Sequence, residues 1–305
     1  MAGVITTGSH PKLFWPGIRE LWGQVYDQHP TEYTDLFEVK NSGQAYEQDV
    51  QITGFGLAPV KGQGAPVSYD SETQGWVTTY AHIAYALGYI VTKEELEDNL
   101  YKQVSQRRAR ANAFSCSQTV ENVAAFLYNN AFNTTYYTTP DSQAIISTAH
   151  VNVTGGTYSN RLTTPADLSE TSLEDMSIQI MNATDDRGLR ISVMPQSLHI
   201  APNERFNANR ILQSVLQNNT ANNAINVLKA TNAFPQGIKV NHYFTDTDAW
   251  FVRTNIPNGM TMFWRNKPQF DQDNDFDTKN AKAATYMRFS VGVTDPRGVY
   301  GSPGA

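Results

Sequence analysis

Cysteine occurs once in this chain, at Cys116, so no internal disulfide framework is available. The residue falls in a helical pattern and is expected to pack as a small side chain rather than act as a nucleophile. No stretch approaches the roughly 18 consecutive apolar residues that a membrane-spanning helix needs. Met1 to Pro11 holds neither a positively charged region nor a long apolar run, so no signal peptide is expected. Basic residues are in deficit, 23 Lys and Arg against 29 Asp and Glu for a net charge of -6. That balance argues against a free-standing nucleic-acid binder, which would carry a basic stripe. There is no internal repeat and no low-complexity tract. The composition reads as soluble and cytoplasmic.

The signatures of chemistry are missing as well. There is no G-x-S-x-G elbow, no Walker phosphate loop and no dinucleotide fingerprint after a strand. Gly54-Phe55-Gly56 lacks the helix that would give its glycines meaning. His10, His29, His82, His150, His199 and His242 are scattered, and none has a His or Cys neighbour at a ligand spacing. His82, within a strand pattern, is expected to be packed or exposed rather than catalytic. Asp271 to Asp277 imitates the start of a calcium loop, but Phe276 stands where the loop needs glycine and Lys282 where it needs a bidentate Glu. It reads as a solvated acidic tip. No catalytic, cofactor-binding or metal-ligating residue is assigned. The sites Asn133, Asn152, Asn182 and Asn218, each followed two residues later by Thr, read as polar loop and helix surface.

What the chain does have is one dominant stretch, Thr92 to about Asn130. Thr92-Lys93-Glu94-Glu95 opens it as a capping box, and Glu94, Glu95 and Glu97 suit the positive end of a helix dipole. Apolar residues recur at Leu96, Leu100 and Val104, then at Val120, Val123, Ala124 and Leu127. No Gly or Pro intervenes before Pro140. A helix of this length would run about 55 Å. Its middle, Ser105 to Asn112, reads as polar on every face and contains the only dense basic run, Arg107, Arg108 and Arg110. The pattern predicts a spine along a flat subunit. Two helices broken near Ser115-Cys116-Ser117 are the alternative.

The rest organises around that stretch. A chain of 305 residues suggests one large domain or two interleaved ones, burying roughly 75% of its unfolded surface. Met1 to Tyr33 form an arm with sticky aromatics (Leu13-Phe14-Trp15, Leu21-Trp22) and a short helix over 17–27, folded back on its own domain or reaching a neighbour. Strand-like segments follow at Leu36–Val39, Ala45–Ile52 and Gly75–Tyr85. The glycines and prolines of Gly54 to Pro66 predict a flexible tip on a two-stranded ribbon, which is marginal alone and must lie on a partner surface. A helix with Leu173, Met176, Ile180 and Met181 on one face is expected to end at Gly188. Leu189–Pro195 reads as a buried strand, and Pro202 starts a helix facing inward through Ile211, Leu212, Val215 and Leu216. Strands are expected at Ile238–Phe244 and Ala249–Arg253. A long hairpin closes the chain, Met260–Arg265 up and Ala284–Val291 back, around a charged turn from Asp271 to Lys282.

Aromatic arm, glycine-tipped ribbon, spine helix, compact middle and charged hairpin, in this order, resemble the major capsid proteins of tailed bacteriophages, with their α+β Hong Kong 97 fold. Two segments, Tyr286 to Gly301 (YMRFSVGVTDPRGVYG) and Leu189 to Pro202, look like the Mu-like major head subunit family. The resemblance implies a division into arm (1–33), peripheral domain (34–41, 81–164 and 255–295), extended loop (42–80) and axial domain (165–254 and 296–305). It implies a non-enzymatic shell subunit in the virion, assembled in the host bacterial cytoplasm. Pentamers and hexamers would close an icosahedral shell around double-stranded DNA held by confinement, without membrane or cofactor. Because the arm is short for a cleaved scaffolding segment, a separate scaffold protein or a mature start is implied, together with a portal and a possible decoration protein. A same-fold bacterial nanocompartment shell is one alternative, and a soluble enzyme or carbohydrate-binding protein with an unrecognised site is another. Lys61 and Asn280 are residue types able to form an isopeptide, with no geometry behind them.

Overall fold

A computed structural model describes residues 15–97, 101–217, 224–275 and 277–305, with side chains at 15–18, 96–97 and 101–105 also left out. His10, the Leu13-Phe14-Trp15 side chains, the apolar positions Leu96, Leu100 and Val104, Asn218 and Phe276 lie outside the described residues.

In chain order the elements are α1 (Trp15–Gln28), α2 (Tyr33–Leu36), β1 (Glu38–Asn41), β2 (Tyr46–Ile52), β3 (Gln74–Ala81), β4 (Ile83–Val91), α3 (Lys93–Glu97) and α4 (Tyr101–Asn129). There follow β5 (His150–Val151), β6 (Thr157–Tyr158), α5 (Glu170–Met181), β7 (Pro195–Ile200), a 3-10 turn (Pro202–Glu204), α6 (Arg205–Gln213) and α7 (Val227–Ala230). The chain closes with β8 (Gly237–Val240), β9 (Trp250–Thr254), β10 (Met260–Asn274), β11 (Ala281–Val293), a second 3-10 turn (Pro296–Gly298) and β12 (Val299–Ser302).

Two four-stranded sheets carry two hydrophobic cores. The first has the order β1-β10-β11-β4, with β1 parallel to β10 and the rest antiparallel. α4 lies on it, and Ala109, Ala113, Cys116, Val120, Ala124 and Leu127 form its buried stripe. These residues recur every three or four positions, one face of a helix. The second sheet has the order β12-β9-β7-β8. Its core joins Leu173, Met176 and Ile180 of α5 to Leu198, Ile200, Trp250, Val252 and Tyr300. Tyr128, at the end of α4, links the two: its ring meets Phe251 edge-on at 5.1 Å and its hydroxyl donates to the Leu36 carbonyl at 2.9 Å. The chain also crosses between the sheets where Gly259 and Gly298 touch. A Cβ on either glycine would lie 2.6 Å from the Cα of the other, so no side chain fits there.

The spine helix runs unbroken through Ser115–Ser117. Thr92 does cap α3, accepting from the Glu95 N–H at 3.4 Å, while the Glu95 carboxylate pairs with Arg108 at 2.9 Å. The middle of the spine is not polar all round: Ala109, Asn112 and Ala113 are buried. Two alanines made an inconspicuous apolar stripe, and the buried Asn112 is hydrogen-bonded through both ends of its amide. Its Oδ1 accepts from Trp22 Nε1 (2.9 Å) and from the Thr285 hydroxyl, and its Nδ2 donates to the Leu87 carbonyl (3.0 Å). Trp22 stacks on Phe270 at 5.6 Å. The described part of the arm therefore folds back on its own chain.

Other expectations move in register. The strand expected at Leu189–Pro195 starts where that stretch ends, at Pro195, because loop partners take the preceding amides: Ile191 N–H donates to Ala183, and Met194 N–H to Asn255 Oδ1. α5 stops at Met181, and Gly188 (φ 79°) instead turns the loop that follows. α6 ends at Gln213, so Val215 and Leu216 point outward, 70% and 46% exposed. Ser214 is extended there, and Asn226 caps that end through Ile211 O and Ser214 Oγ. Asp271–Asn274 belong to β10 rather than to the turn. β10 slips register around Asn266, next to Pro268, which has no N–H to offer the ladder. The segment Gly75–Tyr85 is two strands that part at His82.

Candidate functional site

Among the described residues the longer of the two two-stranded sheets is β2–β3, whose connection 53–73 runs out as an extended loop. Its large apolar side chains point to solvent: Ile52, Phe55, Leu57 (83%), Val60 (101%), Val67 and Tyr69 (92%) are all exposed. Large apolar side chains exposed together along one segment mark an interaction surface. Lys61 is exposed at this tip, whereas Asn280 is half-buried in the hairpin turn.

The ribbon is exposed at its end and tied at its root, and Arg187 also reaches Asp70 at 3.4 Å on the returning limb. On one side, Thr294 Oγ1 meets both the Tyr80 hydroxyl (2.6 Å) and Asp49 Oδ2 (3.1 Å). On the other, Gln51 Nε2 donates to Asp186 Oδ2 at 2.8 Å, and Trp76 Nε1 donates to the Val151 carbonyl at 3.2 Å. Asp186 also receives Arg297 Nη2 at 3.1 Å, the same nitrogen reaching Asn152 Oδ1 at 2.9 Å. Arg297 further pairs with Asp295 (3.4 Å) and lies 3.9 Å over the Tyr158 ring. Tyr158 stacks on His150, whose Nδ1 is 2.8 Å from Asp141 Oδ2. Although burial opposes it, hydrogen bonds from His150 and Thr139 hold the Asp141 carboxyl down at about 2. These groups come from β2, β3, the 140–158 loops, the turn after α5 and the tail. One buried arginine thus ties the ribbon to both sheets.

The clamp encloses only a water-sized space, about 10 Å³, lined among others by Gln51, Trp76, Asp186 and Arg297. It is a joint, not a substrate pocket. Among the described residues no group of three or more His, Cys, Asp or Glu could hold a metal ion, and no helix is long and apolar enough to cross a membrane.

The residues singled out from the sequence are dispersed. Cys116 is buried on the spine, and burial raises its thiol pKa. His199 is buried beside Ser197 (2.8 Å) and held neutral, its pKa driven to about 3 by burial and then by Arg253 and Lys239. His242 is exposed and bound to Glu32. His82 is buried between Ser42 and Ser290. Of the basic run, Arg107 and Arg110 are exposed and Arg108 is neutralised within the chain by Glu95. Asn133 is exposed, Asn182 ends α5, and Asn152 serves the clamp.

Sequence reading missed Asn112, Arg297 with Asp186, and Glu121. Glu121 is 1% exposed on the spine and accepts from the Glu32 N–H at 2.9 Å, with its other oxygen unpartnered. Burial, reinforced by Glu32 and Asp35, lifts its pKa to about 7. Arg297 offered one signal: a lone cation between Pro296 and Gly298, close after Asp295 and just before the apolar Val299-Tyr300.

Two interlocked sheets, a spine helix, a folded-back arm and an exposed apolar ribbon define a class of protein, the Hong Kong 97-like shell subunit. The phage capsid protein family profile matches residues 76–302, and the chain belongs to that family. It is a phage capsid protein, a structural component of the virion. Solved structures agree on the fold: a virus-like particle from Pyrococcus furiosus is similar at 12% identity and TM-score 0.55, over 95% of this chain and 99% of that one. The capsid of the Myoviridae phage XM1 is similar at 11% identity and TM-score 0.55 over the full length of both chains. Mycobacterium phage Che8 gives 12% identity and 0.52 over 89% and 90%. A comparison with curated protein sequences finds no match.

Proposed function

We propose that this chain is the major head subunit, building pentamers and hexamers that close an icosahedral shell around double-stranded DNA. The exposed ribbon carries this reading. Six large apolar side chains between Ile52 and Tyr69 stand in solvent on a segment whose root is clamped, an arrangement that favours a neighbouring subunit as the missing cover. We take 1–33 as the arm, 34–41, 81–164 and 255–295 as the peripheral domain, 42–80 as the extended loop, and 165–254 with 296–305 as the axial domain. The antiparallel bridge between Leu216 and Ile225, with Val215, Leu216, Ile225 and Val227 exposed, would then meet its copies near the symmetry axis. Within the family, the Tyr286–Gly301 and Leu189–Pro202 segments favour the Mu-like head subunits. A separate scaffold protein, a portal and a decoration protein complete the partners, and the DNA is held by confinement.

The test is electron microscopy of the purified chain, alone and with its scaffold. Closed particles of megadalton mass are expected, and a stable monomer in the scaffold's presence across concentration and salt overturns the reading. Replacing Gly54–Pro66 by an Asn-Gly turn is expected to abolish particles while circular dichroism stays native, since the tip contributes nothing to either core. The likeness to the Pyrococcus furiosus virus-like particle supports a second reading, a nanocompartment shell holding protein cargo. Nucleic acid or enzyme inside the particle decides between the two.

A further inference from the structure

His82 is the only residue between β3 and β4. Behind it Ala81 pairs with Tyr46 in the ribbon, and ahead of it Ile83 pairs with Phe289 in the four-stranded sheet. The chain leaves the ribbon at this one position. The side chain is 8% exposed. Its Nδ1 is 2.9 Å from Ser290 Oγ on β11, and its Nε2 is 3.0 Å from Ser42 Oγ, just after β1, where the chain first heads into the ribbon. Its carbonyl accepts from Arg288 Nε at 3.3 Å. One imidazole therefore ties both crossings of the ribbon root to the sheet.

The proton positions follow from the fourth member. Ser42 Oγ lies 2.6 Å from Glu47 Oε1. An ionised carboxylate only accepts, so the Ser42 hydrogen is given to Glu47. Ser42 Oγ must then accept from the ring, which puts the neutral proton on Nε2 and leaves Nδ1 to accept from the Ser290 hydroxyl. The same assignment rules out a serine nucleophile, because Ser42 has no hydrogen left for the imidazole to take.

We propose that the Ser42–His82–Ser290 clasp is a proton-operated lock on the ribbon, holding it against the first sheet while the ring is neutral and releasing it when the ring is protonated. A proton on Nδ1 forces the Ser290 hydroxyl to turn from donor to acceptor, so its hydrogen loses the ring as a partner. The new charge faces Arg288 on β11 and Arg265 on β10, with only Glu47 on β2 to offset them. Burial first, then Arg288 and Arg265, keep the imidazole below its ordinary pKa despite Glu47. The sign follows. The open root, with an ordinary imidazole, takes up protons more readily than the closed one. The clasp is therefore intact above the ordinary histidine range and is lost as pH falls through that range toward the lowered closed-state value.

The test uses dispersed full-length subunits, so it is independent of whether they assemble. In long-range nitrogen–proton NMR spectra at about pH 7.5, His82 is expected as the Nε2–H tautomer. A Nδ1–H tautomer overturns the proposal. Hydrogen exchange of peptides covering 42–52 and 74–84, corrected for intrinsic rates, is then compared between about pH 7.5 and about pH 5. Several-fold loss of protection at the lower pH is expected, confined to the ribbon root. In His82→Gln the loss is expected to vanish. In Ser290→Ala, which keeps the Ser42 bond and serves if the first variant fails to fold, protection is expected to be low already at the higher pH. No loss in the wild type, or the same loss in both variants, overturns the lock.

Discussion

Arg297→Met asks whether the ribbon root is held by a buried ion pair or merely packed. Arg297 and Asp186 side chains are 3% and 7% exposed. Methionine keeps most of the apolar stem and removes the guanidinium. Asp186 then stays buried with Gln51 Nε2, 2.8 Å away, as its remaining side-chain donor. Breaking a buried pair on one side costs about 3–5 kcal/mol, because it leaves an uncompensated charge. Losing the cation over Tyr158 adds about 1 kcal/mol. Removing both charges is different: Arg297→Met with Asp186→Asn leaves no fully buried orphan ion, Asp295 being 24% exposed, and is expected to cost less than about 2 kcal/mol. Urea unfolding of the dispersed subunit at neutral pH, read from the midpoint at constant slope, measures both variants. A single variant costing under about 1 kcal/mol, or a double variant no better than the single, would refute the reasoning.

Further outcomes are expected elsewhere. Glu121 has its pKa raised from the ordinary value to about 7, so it destabilises the fold progressively as pH rises from the ordinary carboxylate range through about 7. Glu121→Gln should therefore be more stable than wild type by about 1–3 kcal/mol near pH 8 and no different near pH 5; parallel stability–pH curves for the two proteins would exclude this. Asn112→Ala strands Trp22 Nε1, the Thr285 hydroxyl and the Leu87 carbonyl, each worth about 1–3 kcal/mol when left unpaired. It should release α1 first, seen as proteolysis between Trp22 and Gln28 and a red-shifted Trp22. Changing Arg107, Arg108 and Arg110 to Gln should alter duplex DNA binding little at physiological salt, since Arg108 is already paired with Glu95. Tight, salt-sensitive binding that disappears in this triple variant would mark the run as a true phosphate contact.

Sequence alone determined the features set by local chemistry. Glycines and prolines from Gly54 to Pro66 announce a loop because few other residues take such backbone freely, and the Thr92 cap and the 3.6-residue spacing after Val120 announce the spine. The closing hairpin is legible from its alternation. The order of these parts was enough to suggest the fold class. Boundaries set by distant partners were not legible. Leu189–Met194 has strand composition, yet Ala183 and Asn255 take amides from it, and Val215 continues a helical pattern that Asn226 cuts short.

The polar joints depended most on the tertiary structure. Asn112 reads as a wet residue until Trp22, Thr285 and Leu87, 90, 173 and 25 positions away along the chain, bring it exactly its missing partners. Arg297 and Asp186 are 111 residues apart, and His82 reads as an interruption in a strand until Ser42 and Ser290 close on it. Whether a polar side chain is solvated surface or a buried clamp depends on which groups desolvate it. For these residues those groups are remote in sequence, and folding alone brings them together.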